Sequence, residues 1–188
     1  MLVMRRAMRW MWAATALPLA LGSAAARAWV AADTPPPVPA VARAWPVGVR
    51  PPVLRGWEPP ATVYGPGHRG VDLGAAPGAP VRAVAAGRVS YAGPVAGRGV
   101  VSVALTGTDL RTTYEPVTPT VEKGQVVAAG EVVGTVPAVG AHCPTVCVHW
   151  GLLRGDVYLD PLLLLPPWLL NAGPSRLLPV LGVPLPEG

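Results

Sequence analysis

Lysine is almost missing from this chain: Lys123 stands alone against fourteen arginines. Histidine is scarce too, with only His68, His142 and His149. Any metal site or general base built on imidazole must therefore draw on these three. Two cysteines, Cys143 and Cys147, are too few for a disulfide scaffold, so the domain must rest on a hydrophobic core. Acidic residues are absent before Asp33, whereas Arg5, Arg6, Arg9 and Arg27 all lie in the first 28 positions. Without that stretch the chain keeps eleven basic and ten acidic residues, a net charge of +1. So small a balance gives no electrostatic ground for binding nucleic acid. No apolar run reaches the roughly 20 residues that a spanning helix needs, and no stretch between 60 and 160 holds a helical period.

What is present divides the chain. Three arginines precede the apolar run Trp10 to Leu21, and Ala26-Arg27-Ala28 offers small residues where a signal peptidase reads. Residues 1–28 are expected to be a signal peptide cleaved after Ala28, with an uncleaved anchor as the alternative. Residues 29–56 are rich in Pro and Ala and read as an extended linker, whose later part around Trp45 and Trp57 packs onto the domain. Residues 57–165 are expected to fold, and the Pro-rich apolar tail 166–188 to pack across that domain. Behind a signal peptide, Cys143 and Cys147 are expected to pair.

From Val63 onward, short β-rich runs alternate with Gly and Pro. The clearest are Val81 to Val84, Gly87 to Tyr91, Val100 to Leu105, Leu110 to Tyr114, Glu131 to Val136 and Val146 to Leu152. Their β-branched content predicts an all-β domain of many short strands. Two segments echo one another: Pro80 to Val89 and Lys123 to Gly134 each run from an apolar stretch through Ala-Ala-Gly into a strand. Such an echo suits a small antiparallel β-sandwich or hybrid barrel.

The chemistry-bearing residues lie in two places. In Gly67-His68-Arg69-Gly70-Val71-Asp72-Leu73-Gly74, extended backbone puts His68 and Asp72 on one face, with Val71 and Leu73 on the other. Imidazole and carboxylate are zinc ligands, yet the His-x-x-x-Asp spacing alone fits a surface pair equally well. In Cys147-Val148-His149-Trp150-Gly151, Cys147 and His149 share a face of a strand.

The order of these features, from about Val63 to Pro161, resembles the lysostaphin/LytM-type zinc metallopeptidases, which cut peptide cross-bridges in peptidoglycan. Their early His-x-x-x-Asp motif matches His68 and Asp72, and the tyrosine of their middle Tyr-x-His segment matches Tyr114. Their glycine hairpin matches Gly124 to Gly134, and the second His of their late His-x-His motif matches His149. The resemblance implies a Zn²⁺ ion on His68, Asp72 and His149, extracytoplasmic location at the cell wall, and peptidoglycan or its peptides as partner. It also identifies two departures. The auxiliary histidines that orient water and stabilise the oxyanion are replaced by Pro116, in Tyr114-Glu115-Pro116-Val117, and by Cys147. General acid–base help is worth about 10²–10⁴-fold, so the family logic implies a degenerate site that binds peptidoglycan or regulates a cell-wall hydrolase. An active endopeptidase is the alternative. Glu115 is the weak substitute, expected to face away from the lost position by strand alternation. Cys147 as a thiolate near zinc is another, and His142 is expected to be exposed in its loop. A carrier domain of biotinyl or lipoyl type, which shares glycine-flanked β-hairpins, needs a lysine at a hairpin tip. Lys123 lies at the start of the Gln125–Val133 run instead.

Overall fold

A computed structural model describes residues 35–170, apart from 63, 139–142 and 144. The chain divides into two units, Met1–Pro36 and Pro37–Gly188, and all that follows belongs to the second. The described residues form eleven short strands: β1 (Val53–Arg55), β2 (Val71–Gly74), β3 (Pro80–Arg82), β4 (Gly87–Val95), β5 (Arg98–Leu105), β6 (Leu110–Glu115), β7 (Thr118–Pro119), β8 (Val126–Val127), β9 (Val132–Thr135), β10 (Cys147–Arg154) and β11 (Val157–Leu159). The fold is all-β and antiparallel throughout, as the sequence predicts.

One sheet runs β1-β2-β10-β6-β5-β4-β8; the other is β3-β9-β7. β10 is the axis of the larger sheet. Its Cys147–Trp150 half pairs with β2, its Leu152–Arg154 half with β11, and its other side with β6. β6 alternates buried and half-buried residues, the period-2 signature of a strand with one face inward. β10 is buried almost throughout, because neighbours and core cover it on all sides. β4 turns into β5 through Ala96 (φ 49°) and Gly97 (φ 82°), a two-residue loop with left-handed backbone at both positions. That geometry matches the twist of the flanking strands and fixes their register.

The sequence echo has a structural counterpart. β3 leads into β4, and β8 leads into β9; β4 pairs with β8 in the large sheet, β3 with β9 in the small one. Each echoed segment thus crosses from one sheet to the other, and the two run in opposite directions. The second Ala-Ala-Gly corner is tied to the residue after β3: Ala83 N–H donates to Glu131 O at 2.9 Å and Gly130 N–H to Ala83 O at 2.7 Å. Apolar side chains from both sheets, including Val81, Val89, Val103, Val133 and Trp150, form one core.

The stretch read as linker behaves differently from Pro37 onward. Ala42, Trp45 and Val47 are buried in the core. The prolines forbid a ladder strand, but the chain still trades single bonds with the domain: Ala42 N–H donates to Leu164 O (2.9 Å), Arg43 N–H to Val84 O (2.7 Å), and Pro46 O accepts from Arg82 N–H (2.8 Å). After Pro51-Pro52, β1 sits at the sheet edge, where proline neighbours are tolerated. At the other end, Asp160 caps the 3-10 turn Pro161–Leu164 by accepting from Leu162 N–H at 2.9 Å. Leu164 and Leu165 enter the core, and the Trp45 indole N–H donates to Leu169 O at 3.3 Å. Residues 1–34, which hold the leader, and 171–188, the rest of the tail, lie outside the described residues. No helix among the described residues is long and apolar enough to cross a membrane.

Candidate metal centre

β2 and β10 assemble the site by simple register. Val71 and Leu73 point into the core with no exposed surface, so alternation turns Asp72 to the opposite face. Asp72 pairs directly with His149 across the β2–β10 ladder, and His149 pairs with Glu115 across β10–β6. Side chains opposite one another on a ladder stand about 4.5–5.5 Å apart at Cβ, so one row carries all three groups. His68 joins from the segment before β2, pinned to Glu58 by two backbone bonds of 2.8 and 3.1 Å.

Three atoms then converge. His68 Nε2 lies 3.1 Å from Asp72 Oδ1 and 3.1 Å from His149 Nδ1; His149 Nδ1 lies 2.9 Å from Asp72 Oδ1. His68 and Asp72 are only 5% and 3% exposed. A carboxylate so deeply buried needs positive charge or donors beside it. The Gly56 carbonyl, 2.6 Å from His68 Nδ1, can only accept. It therefore assigns the proton to Nδ1 and leaves Nε2 with a lone pair aimed at the triad. A lone pair, a carboxylate oxygen and a second imidazole nitrogen facing one another call for a cation among them. Atoms spaced 2.9–3.1 Å apart can all lie about 2.0–2.2 Å from one point, the usual zinc–ligand length. These residues fit a zinc ion, and the group could hold a metal.

Gly70 makes room for this. A Cβ there would collide with the Trp150 carbonyl and stand 2.6 Å from His149 Nε2. Gly70→Ala is expected to push His149 off the triad and weaken zinc binding by about 10–100-fold, the usual effect of disturbing a ligand's support. Competition against a chromogenic chelator measures it; unchanged affinity would remove Gly70 from this role.

A cleft of about 250 Å³ opens over the site, lined by Arg55, His68, Arg98, Glu115 and His149. Arg55 donates to both carboxylate oxygens of Glu58, at 3.1 and 2.7 Å, and these hydrogen bonds lower the Glu58 pKa. Arg98 Nε lies 2.9 Å from Glu115 Oε1. The expectation that Glu115 turns away is corrected: it is the residue opposite His149 and lines the cleft, whereas Pro116 lines a neighbouring groove. Cys147 is fully buried and bonded to Cys143, two positions before His149 on the same strand face. Tyr114 is buried in the core; its oxygen accepts from Val84 N–H at 3.1 Å, and burial pushes its pKa up to about 12, so it stays a neutral structural pin. His142 lies outside the described residues. Sequence reasoning missed Gly56, whose backbone role has no side-chain signal, and Arg55 and Arg98, which reach the cleft only through strand pairing.

Comparison with known proteins bears on the same segment. The pattern of peptidase family M23 matches residues 66–161, just over half of the chain. The chain belongs to peptidase family M23. Uncharacterized proteins of Mycobacterium bovis and Mycobacterium tuberculosis are 43% identical over 141 residues, covering 72% of this chain and 54% of theirs. The chain thus spans about half the length of the curated relatives it matches. Among solved structures, the M23 fold here is similar to the catalytic domain of the antimicrobial peptidase lysostaphin from Staphylococcus simulans (TM-score 0.53, 22% identity, 64% of this chain and 93% of that one). It is also similar to Helicobacter pylori Csd3 (TM-score 0.54, 23% identity, 66% and 34%). A third is a zinc-containing peptidase from Vibrio cholerae (TM-score 0.50, 24% identity, 66% and 41%). At these identities the structural likeness speaks for the fold. It matches the lysostaphin-type architecture expected from the motifs.

Proposed function

We propose that this chain is a secreted, cell-wall-associated M23 domain that holds zinc on His68, Asp72 and His149 and binds peptidoglycan peptides without cutting them, or regulates a hydrolase that does. The observation that carries this reading is the fate of the two auxiliary imidazoles. One position is Pro116, which has no proton to give; the other is Cys147, closed in a disulfide with Cys143. Bound zinc would lower the pKa of a water and polarise a carbonyl. The chain's own residues supply the rest: Gly56 fixes the His68 tautomer, Asp72 supplies the buried negative charge, and Arg55 and Arg98 line the approach. The lysostaphin likeness supports a cell-wall substrate, and the leader read at 1–28 supports export.

One observation favours the alternative of an active endopeptidase. Glu115 is a carboxylate lining the cleft, across the ladder from His149, and a carboxylate is a group that can serve as a general base. The zinc-loaded chain incubated with cross-linked peptidoglycan separates the two. Expected are bound muropeptides with no new cleavage products, and stimulation of a cell-wall amidase if the role is regulatory. Cleavage that both a chelator and Glu115→Gln abolish would overturn the binding reading in favour of the enzyme.

A further inference from the structure

We infer that Arg98 is a carboxylate-recognition residue, and that the ligand of this site is a peptide bearing a free carboxylate, which runs from the metal cleft into a second groove. The inference rests on the peptide-binding reading above and narrows its substrate class. The second groove, of about 320 Å³, is walled by Gly93, Pro94, Gly99, Pro116 and Pro137 among others, with Arg98 the one charged residue among those lining it. Arg98 also lines the metal cleft. It is the residue common to both cavities, so a chain passing between them would pass Arg98.

The position is fixed by the backbone. Arg98 opens β5 directly after the Ala96-Gly97 turn, paired with Val95. Behind it, Gly99 O accepts from Val117 N–H at 2.9 Å, and a Cβ on Gly99 would collide with the Val117 carbonyl. The strand end bearing Arg98 is therefore held flush against the loop after β6. The side chain itself is 42% exposed and meets Glu115 at 28% exposure. An ion pair so open to water holds weakly, so an incoming carboxylate displaces Glu115 and gains a charge-assisted bond to a planar fork suited to it. Charge favours the same ligand. Arg55 is paired with Glu58 and Arg98 with Glu115, so these side chains balance, and a divalent ion on the triad would outweigh the one charge of Asp72 and leave the cleft positive. The groove beyond offers only neutral Gly, Pro, Val and Thr surface.

The test uses the zinc-loaded full chain and two probes, N-acetyl-Ala-Ala-Ala with a free C-terminal carboxylate and the same peptide as its C-terminal carboxamide. Calorimetric titration is expected to show the carboxylate binding about tenfold tighter or more. Arg98→Gln is expected to erase that preference while leaving zinc content unchanged. Glu115→Gln removes the competing carboxylate and is expected to tighten binding of the acid about two- to fivefold, a gain absent from the R98Q/E115Q double variant. A preference that survives in R98Q assigns the carboxylate to the metal and overturns the inference. Equal affinities for acid and amide, with zinc bound, overturn it while leaving the peptide-binding reading intact. Binding of neither probe, together with no binding of muropeptides, sinks both.

Discussion

His149→Ala is expected to empty the metal centre without unfolding the domain. The imidazole provides one of the three converging atoms, and its side chain is 19% exposed toward the cleft. What it leaves behind is water-accessible space and not a sealed void, so the packing penalty of a core truncation does not apply. Its β10 neighbours Val148 and Trp150, which face the core, are untouched. Two ligands remain, His68 and Asp72. A site losing a direct ligand should lose more affinity than one losing a supporting group, so the drop exceeds about 100-fold. Zinc per chain after dialysis against a chelating buffer should fall from one to near zero. The thermal midpoint of the metal-free variant should match that of the metal-free wild type. With zinc in excess the wild type should rise far more than the variant, because a ligand stabilises the folded state by an amount that grows with the logarithm of its concentration over Kd. A variant that still retains one zinc per chain would show that the ion sits elsewhere.

The fold was legible because its signals are local. β-branched runs between Gly and Pro gave β4, β5, β6, β9 and β10 to within a few residues, and the Ala-Ala-Gly echo pointed to the sandwich in which β3 pairs with β9 and β4 with β8. The coming together of His68, Asp72 and His149 was legible only through motif order, since His68 and His149 are 81 residues apart and no spacing rule links them. What escaped was set by pairing and by backbone. Glu115 faces the cleft because β6 aligns it with His149, a register that alternation along one strand cannot supply. Gly56 acts through its carbonyl, which every residue has. Residues 37–56 read as a linker because proline dominates them, but Trp45, around which packing is expected, lies buried against Trp150, ring centres 6.4 Å apart.

Trp150 is where the core and the metal centre meet, and Trp150→Ala is expected to lower stability by about 3–5 kcal/mol, the usual range for a buried aromatic. The indole is fully buried, its edge set against Trp45, and its backbone pairs with Val71 on one side and Tyr114 on the other. Its N–H donates to Thr112 Oγ1 at 2.7 Å, and that hydroxyl donates to Gly151 O at 3.0 Å. Truncation therefore opens a cavity and removes a donor from a buried hydroxyl, two penalties that add. For a domain of this size the midpoint should fall by roughly 10–20 °C. Trp150→Phe keeps most of the volume and loses the N–H, so its loss should be about 1–2 kcal/mol. The comparison separates packing from the hydrogen bond. Zinc gives the decisive control. If the site depends on Trp150 only through global stability, excess zinc should raise the melting points of W150F and wild type by the same amount. A smaller rise in W150F, with the backbone of β10 otherwise intact, would mean that the indole also holds the Trp150 carbonyl against Gly70, and through it the seat of His149.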